Sequence, residues 1–215
     1  VSKTYLLGDE KVKAVAGINL VIKNGEYVGI LGPSGCGKST LMHLMGLLEV
    51  PSTGKILFDG RDVSKLSDDE LSMVRNENVG FVFQAFNLIN KFTVWENVLM
   101  PTTYAKTKLD FDPKQRAEEL LKRVGIWERR NFFPNKISGG QQQRVAVARA
   151  LIMKPELILA DEPTGNLDTK TGEEIMKLLE ELNRDLKVTM VIVTHEPEIA
   201  ARTKKQIRIR DGQIV

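Results

Sequence analysis

The chain has 215 residues, of which 42% are hydrophobic and 27% are charged, which is ordinary usage for a globular protein of one large domain or two lobes. The formal net charge is only +3, and Lys and Arg are interspersed with Asp and Glu, so composition gives no nucleic-acid footprint. No apolar run approaches the roughly 20 residues that span a bilayer, and we see no charged-then-apolar leader. We therefore expect the chain to stay on the cytoplasmic side, and its single cysteine excludes an internal disulfide.

Short apolar segments indicate the strands. Residues 12–22 alternate unevenly and residues 55–58 are short and apolar, with turn signals at 23–25 and 59–60, which predicts a small antiparallel β lobe. Four further apolar segments are separated by helical patterns and predict a parallel sheet buried on both faces, so the predicted fold class is α/β. These segments are Tyr27–Leu31, Val79–Phe83, 156–160 and 188–193.

Helix-start signals lie between these strands. Two Ser/Thr-x-x-Glu patterns have the spacing of a capping box, in which two side chains satisfy the first free N–H groups of a helix. They are Ser67 with Glu70 and Thr93 with Glu96. Asp112 and Pro113 open a further helix that Gly125 can terminate. The pattern predicts a helical insert over roughly residues 86–153.

A phosphate-binding loop pattern, GPSGCGKST, occupies residues 32–40 between a predicted strand and a predicted helix. Its glycines allow successive N–H groups to point inward, and the helix start adds its positive dipole end. Lys38 would add a charge at the outer phosphates, and the Ser39 hydroxyl would ligate Mg²⁺. The residues predicted to line the nucleotide here are Gly32, Pro33, Ser34, Gly35, Cys36, Gly37, Lys38, Ser39 and Thr40.

Two carboxylates, Asp161 and Glu162, end an apolar strand where parallel strands deliver side chains to a ligand crevice. Asp161 is suited to hold Mg²⁺ through water, and Glu162 can accept a proton from an attacking water molecule. The same pair before Pro163 would also fit a plain helix start, but the phosphate loop favours hydrolysis.

Further motifs follow in a fixed order along the chain. They are Gln84 after a strand, SGGQQ at residues 138–142, Asp161-Glu162, NLD at residues 166–168, and His195. Together with the phosphate loop, this order resembles the nucleotide-binding domain of ABC transporters across nearly the whole chain. The resemblance implies a P-loop NTPase with a RecA-like parallel-sheet core, an antiparallel β subdomain and a helical insert. It divides the chain into residues 1–85 and 154–215 for the core with the β subdomain, and residues 86–153 for the helical subdomain.

The resemblance also implies roles for single residues. Glu162, His195, Gln84 and Lys38 would support catalysis, with Gln84 as the γ-phosphate sensor. Mg²⁺ would be held by Ser39, Gln84 and Asp161, and the Tyr5 ring would stack on adenine. The remaining residues implied at the nucleotide are Ser138, Gly139, Gly140, Gln141 and Asp168. The SGGQ corner would cover the ATP held by a second copy, which implies a head-to-tail homodimer.

The implied partner is an integral membrane permease, and the implied location is peripheral on the cytoplasmic membrane face. Within the family, FVFQAFNL at 81–88 and DEPTGNLD at 161–168 look closest to the macrolide-export and lipoprotein-releasing group. In that family a groove in this region receives a helix of the permease, so we expect some of the aromatic residues to face a partner. Filling the core of the helical insert is the equal alternative for any one of them. The aromatic residues of this region are Phe81, Phe83, Phe86, Phe92 and Trp95.

Two other classes compete with this interpretation. A soluble ABC ATPase acting on nucleic acid or ribosomes would be expected to carry a long heptad insertion or tandem cassettes, and this chain has neither, nor a basic arm. A phosphoryl-transfer kinase would leave the segment at residues 138–142 unexplained.

Overall fold

A six-stranded sheet runs through the computed structural model, which describes residues 1–8 and 10–215. The strands are β1 (Lys3–Leu7), β2 (Glu10–Val15), β3 (Tyr27–Leu31), β4 (Leu57–Phe58), β5 (Arg61–Asp62), β6 (Val79–Phe83), β7 (Leu157–Asp161), β8 (Thr189–Thr194), β9 (Lys205–Arg210) and β10 (Gln213–Ile214). The α-helices are α1 (Lys38–Met45), α2 (Asp68–Asn78), α3 (Val94–Leu99), α4 (Pro113–Arg123), α5 (Gly139–Leu151), α6 (Thr169–Leu186) and α7 (Pro197–Ala201). Short 3₁₀ turns cover Met100–Tyr104, Trp127–Arg129 and Pro134–Lys136.

The large sheet has the strand order β10-β9-β3-β8-β7-β6, in which β9 to β6 are parallel and β10 is antiparallel. This confirms the four predicted parallel strands and the α/β class. The sequence analysis did not predict β9 or β10, because charged side chains alternate with Ile207 and Ile209 in β9. Only those two isoleucines are buried in β9, so this strand lacks the continuous apolar run of the central strands.

Two antiparallel hairpins, β1-β2 and β4-β5, form the predicted β lobe. The prediction of a strand over residues 12–22 was wrong in its second half, because β2 ends at Val15. Gly17, with a φ of 72°, turns the chain out of the strand conformation. Ile18 nevertheless stays buried in the core beneath α1.

Two apolar clusters lie on opposite faces of the large sheet. One joins the sheet to α5 and α6 and includes Ile158 and Leu179, and the other joins it to α1 and includes Ile30 and Met42. One apolar face of α6 packs against the sheet, and the Ile175, Leu179 and Leu182 side chains on this face are fully buried. Within residues 1–8 and 10–215, none of the helices combines the length and apolar character required to cross a membrane.

The helices between β6 and β7 begin at their own side-chain caps. Thr93 and Glu96 form the predicted capping box at α3, Asp112 caps α4, and Gly125 follows α4 with a φ of 72°. Ser67 and Glu70 form the other predicted box, at α2. Each cap satisfies N–H groups that a helix start leaves free, so local sequence fixes where these helices begin.

Gly80 allows β6 and α5 to pack closely. A Cβ atom at this position would lie 2.3 Å from the carbonyl oxygen of Ala150 and 2.7 Å from Cδ1 of Ile158. Both neighbours belong to packed elements and cannot move aside cheaply. Gly80 therefore sets the distance between the sheet and the helix that begins at Gly139.

We predict that Gly80→Ala lowers the free energy of unfolding by about 1–3 kcal/mol through overpacking against α5. Gly172→Ala in α6 is the matched control, since its Cβ would meet Thr164 at an ordinary 3.4 Å. The control should be neutral or stabilise the helix by up to about 1 kcal/mol. Urea unfolding measures both, and equal midpoints for Gly80→Ala and the wild type would contradict the packing argument.

Candidate nucleotide-binding and hydrolysis site

Strand register brings the predicted site residues to one edge of the large sheet. Phe83 pairs with Asp161, Asp161 pairs with Val193, and the next pair along is Leu31 with Thr194. The four strands therefore end at nearly the same level, and their continuations leave the sheet side by side. Since neighbouring strands lie about 4.8 Å apart, the loops after β3 and β7 are roughly 10 Å from each other, separated by β8.

The phosphate-loop pattern lies between β3 and α1, as predicted, and it packs against other strands. A Cβ atom at Gly37 would lie 2.1 Å from the carbonyl oxygen of Ala14, and one at Gly32 would lie 2.4 Å from that of Ile209. Gly35 has open space and a φ of 77°. Two of the glycines are thus required by close packing rather than by backbone freedom alone. Gly37 has no side chain to cap α1, so the first N–H groups of this helix face the loop as an anion site.

Lys38 and Cys36 lie within this loop. The Lys38 ammonium donates to the carbonyl oxygens of Gly32, at 2.7 Å, and Pro33, at 2.9 Å, and the side chain is 8% exposed. The Cys36 side chain is buried, and its Sγ would lie 2.6 Å from a Cβ at Gly32. The cation is therefore held at the loop by backbone oxygens, within reach of a phosphate group bound there.

Asp161 ends β7 as a partly buried carboxyl group. Burial raises the pKa of Asp161, the nearby charge of Glu162 raises it further, and His43 and Lys38 only partly oppose these effects. A divalent cation would offset both unfavourable effects on the carboxylate. The hydroxyl of Ser39, the amide oxygen of Gln84 and this carboxylate are hard oxygen donors of the kind that Mg²⁺ prefers, so the residues fit this ion chemically.

Glu162 and His195, predicted for catalysis, are in direct contact. Glu162 Oε1 lies 2.6 Å from His195 Nδ1 and accepts the His195 backbone N–H at 2.9 Å, while Oε2 accepts the Thr194 hydroxyl at 3.0 Å. Glu162 itself has a φ of 45°, an unusual value outside glycine that aims its side chain toward β8. The carboxylate of Glu162 is therefore oriented by the end of the neighbouring strand, a contact that the sequence analysis did not foresee.

Gln84 follows β6 and is hydrogen-bonded to the loop before α6. Its Nε2 donates to Asn166 Oδ1 at 3.3 Å, and Asn166 Nδ2 donates to the Gln84 carbonyl at 2.9 Å. A Cβ at Gly165 would lie 2.6 Å from the same amide nitrogen, so glycine is needed there for Gln84 to fit. Gln84 is thus tied to the segment that continues from the Asp161-Glu162 pair.

The SGGQ corner forms the start of α5. Ser138 Oγ accepts from the Gln141 N–H at 3.3 Å, and Gln141 Oε1 accepts from the Ser138 N–H at 3.0 Å. Gly140 lies against Thr171, whose Cγ2 would be 2.3 Å from an added Cβ. Asp168 caps α6 by accepting from Thr171. Among the hydrogen bonds of the described residues, none joins residues 138–141 to the phosphate loop of the same chain.

Tyr5 lies on β1 with its hydroxyl bound to the carboxylate of Glu49 at 2.7 and 2.8 Å. Burial and Glu49 raise the pKa of Tyr5, while Thr40, at the start of α1, lowers it. Tyr5 is therefore close to the phosphate loop, and Glu49 holds its ring. His43, which the sequence analysis left without a role, lies 3.4 Å from Glu49. Nothing in the local sequence pattern identified Glu49.

The aromatic residues after β6 lie in different environments. Phe81 and Phe83 stack on each other toward the α1 side of the sheet, and Trp95 packs edge-on against Trp127. Phe92 is exposed, and so are Phe132 and Phe133, which the sequence analysis did not single out. The segments meet, because the Val94 N–H donates to the Phe132 carbonyl at 2.8 Å. Phe92, Phe132 and Phe133 are called the aromatic patch below.

A phosphate loop, paired carboxylates at the strand ends and a helical insert that carries an SGGQ corner together define an ATP-binding cassette. The family model described as ABC transporter matches residues 15–165, and the chain belongs to the ABC transporter family. A cassette named MJ0796, solved as a dimer in a post-hydrolysis state with ADP and Pi, is 45% identical with a TM-score of 0.90, and the match covers 100% of this chain and 94% of that one.

Sequence relatives agree with this assignment. An uncharacterised ABC transporter ATP-binding protein of Thermotoga maritima is 51% identical over 99% of this chain and 90% of its own length. The lipoprotein-releasing system ATP-binding protein LolD of Geobacter metallireducens is 46% identical over 100% and 95%. The macrolide export ATP-binding/permease protein MacB of Bdellovibrio bacteriovorus is 50% identical over all of this chain, which spans only 32% of that relative.

The raised pKa of Asp161 predicts a pH-dependent stability effect. The folded protein binds the proton of the Asp161 carboxyl group more tightly than the unfolded chain does, so ionised Asp161 destabilises the nucleotide-free fold. This destabilisation is complete above the pKa of Asp161 in the folded protein, and it is absent below the ordinary pKa of 3.8. Asp161→Asn should therefore raise stability at pH 8 by a few tenths of a kcal/mol, after allowing for solvent screening of a partly exposed group, and by less at pH 5.

Thermal unfolding of Asp161→Asn and the wild type at both pH values measures this effect. Asp168→Asn is the control, because hydrogen bonds from Thr171 lower the pKa of Asp168 and no stabilisation at pH 8 is expected. A stability gain for Asp161→Asn that is larger at pH 5 than at pH 8 would contradict the prediction.

Proposed function

We propose that this chain is the ATP-hydrolysing cassette of an ABC transporter of the macrolide-export and lipoprotein-release type. The observation that carries the proposal is the shared edge of the large sheet, where the phosphate loop, Asp161, Glu162 and Gln84 lie on neighbouring strand ends. The relatives that support the subgroup are the MacB and LolD proteins named above.

The proposed chemistry starts at the loop. The N–H groups at the start of α1 and the Lys38 ammonium bind the outer phosphates of ATP, for which Lys38 exchanges its bonds to the Gly32 and Pro33 carbonyls. Ser39, Asp161 and Gln84 would hold Mg²⁺, which neutralises developing charge on the phosphate oxygens when bound. The Tyr5 ring, held by Glu49, offers a stacking surface for the adenine base.

Hydrolysis requires a base for the attacking water. Glu162 accepts its proton, and His195, in contact with Glu162 at 2.6 Å, supports the γ-phosphate or the water from the end of β8. Gln84 lies at the end of β6 and orients water or the γ-phosphate with its amide. In the nucleotide-free molecule Glu162 already has three hydrogen-bond contacts, so its orientation is set before substrate binds.

The active unit that we propose is a head-to-tail homodimer. Ser138, the glycines after it and the start of α5 form an anion-binding element that bonds within its own corner, not to the phosphate loop of the same chain. This element of one copy would cap the γ-phosphate of the ATP held in the phosphate loop of the second copy, on the side away from that loop. Asp168 of the first copy would lie nearby. The dimeric MJ0796 cassette supports this arrangement for a chain 45% identical.

The permease contact that we propose is the aromatic patch on the helical subdomain, residues 86–153. Phe92, Phe132 and Phe133 are exposed to 38%, 37% and 44% on two segments that share a backbone hydrogen bond, and exposed large apolar side chains on adjoining segments are typical of a docking surface. The partner would be an apolar-faced cytoplasmic helix of an integral membrane subunit or domain, which would hold the cassette on the cytoplasmic membrane face. No nucleic-acid partner is proposed.

The dimer and the base are tested together by Glu162→Gln. This variant should still bind ATP but lose turnover by at least about 10²-fold, because the proton acceptor is gone, and an ATP-bound dimer should accumulate. Light scattering after size exclusion with ATP and Mg²⁺ measures the mass, and phosphate release measures turnover.

The double variant Glu162→Gln with Lys38→Ala is the matched control for that experiment. It removes the cation at the outer phosphates and should stay monomeric with ATP. Wild-type turnover in Glu162→Gln would disprove the role of this residue, and equal dimer formation in the control would show that ATP does not drive assembly.

The permease contact is tested by Phe132→Ser. The tagged wild-type chain, expressed in its source cells and purified in detergent, should bring down an integral membrane protein, and Phe132→Ser should lose most of it while keeping ATP affinity within about twofold. Leu57→Ser, at another exposed apolar residue but on the β lobe, is the control and should retain the partner. Capture of ribosomes or nucleic acid instead would favour a soluble ABC ATPase.

A further inference from the structure

The loop that leaves β6 has an unusual backbone. Phe86 and Asn87 have φ values of 61° and 50°, and in the described part of the chain they are the only two adjacent non-glycine residues in the left-handed region. Asparagine tolerates this conformation, but a bulky aromatic residue rarely adopts it. Contacts from outside the loop must therefore hold it in this shape.

Arg149, near the end of α5, supplies these contacts. Its Nη1 donates to the Asn87 carbonyl at 2.5 Å and its Nη2 donates to the Phe86 carbonyl at 2.9 Å. The Arg149 side chain is half-buried, and burial lowers the pKa of its guanidinium. Within residues 1–8 and 10–215 it forms no ion pair with a carboxylate, so its charge is directed at the two carbonyl oxygens of the strained residues.

The same loop touches the other end of α5 and the segment before α6. The Phe86 ring lies 3.5 Å from where a Cβ on Gly139 would be, at the first residue of α5. Gly139 and Arg149 are ten residues apart, about 15 Å along a helix, so the loop contacts α5 at both ends. Gln84, two residues before Phe86, is bound to Asn166.

We infer that Arg149 is a positioning residue for Gln84, because its guanidinium holds the loop after β6 against the helix that carries the SGGQ corner. This inference rests on the proposed function, in which Gln84 faces the γ-phosphate and Ser138 caps the ATP of a second copy. The planar guanidinium fork presents its N–H donors in fixed directions, whereas the ammonium of a lysine is a single point charge on a flexible stem, so lysine is not an equivalent replacement.

ADP binding and ATP turnover depend on different parts of the site. ADP lacks the γ-phosphate and depends on the loop at residues 32–40, which Arg149 does not touch. Turnover of ATP depends on Gln84, and misplacing a positioning group by about 1 Å can cost on the order of 100-fold in rate. Loss of the fork should therefore lower kcat and leave ADP affinity unchanged.

The test compares the wild type with Arg149→Lys and Arg149→Ala, with Arg184→Lys in α6 as a matched control whose guanidinium is exposed. Hydrogen exchange without nucleotide should be about tenfold faster at residues 86–88 in both Arg149 variants, since the Phe86 and Asn87 N–H groups bond within the loop. In the same variants kcat for ATP should fall about 10- to 100-fold with ADP affinity within about twofold. Arg184→Lys should match the wild type throughout.

Several results would overturn the inference. One is unchanged exchange at residues 86–88 in Arg149→Ala, another is unchanged kcat despite faster exchange, and a third is full rescue by Arg149→Lys. A parallel loss of ADP affinity would also overturn it, because Arg149 would then support the whole site. A wild type that neither binds ADP nor hydrolyses ATP would instead refute the proposed function. The hydrogen-exchange result is obtained without nucleotide, so it would still decide whether Arg149 holds the loop after β6.

Discussion

Parallel pairing in a common register is the constraint on which the rest of this structure depends. Because β3, β8, β7 and β6 end at nearly the same level, four chain segments with different chemistry leave the sheet side by side: an anion-binding loop, a histidine, two carboxylates and a glutamine. A shift by one residue in any of these strands would turn the end of that strand to the opposite face of the sheet. The buried apolar side chains on both faces hold the register, so the two cores position the chemistry at the edge.

Several polar side chains of the site have hydrogen-bond partners within the chain before any ligand binds. Lys38 is bonded to loop carbonyls, Glu162 to the end of β8, and Ser138 to the start of its own helix. Binding ATP therefore exchanges internal hydrogen bonds for bonds to phosphate. A ligand without the outer phosphates offers fewer such bonds, so its net gain in binding free energy is small. Asp161 differs from these groups, since burial and the charge of Glu162 disfavour its carboxylate, which a cation would stabilise.

Local sequence signals predicted much of this fold. Capping boxes at Ser67 and Thr93, the four apolar strands and the phosphate-loop context all depend on residues close together in the chain, and the structure has these elements where the pattern indicated. Contacts between distant segments left no such signal. The hydrogen bonds of Arg149 to the Phe86 and Asn87 carbonyls span 63 and 62 residues, and the contact of Glu49 with Tyr5 spans 44. Strand β9 was missed because its alternating charges are typical of a half-exposed strand, although it is parallel to β3 in the main sheet.

The packing of Gly32 over Cys36 has a further consequence for the chemistry of the thiol. A cysteine in an electropositive anion-binding loop would ordinarily be a target for oxidants and electrophiles. Here Sγ lies close to the Gly32 backbone, and only 5% of the residue is exposed, so a reagent in solvent has little access to the thiol. Burial of Sγ beneath the loop therefore limits oxidation or alkylation of this thiol in the folded chain.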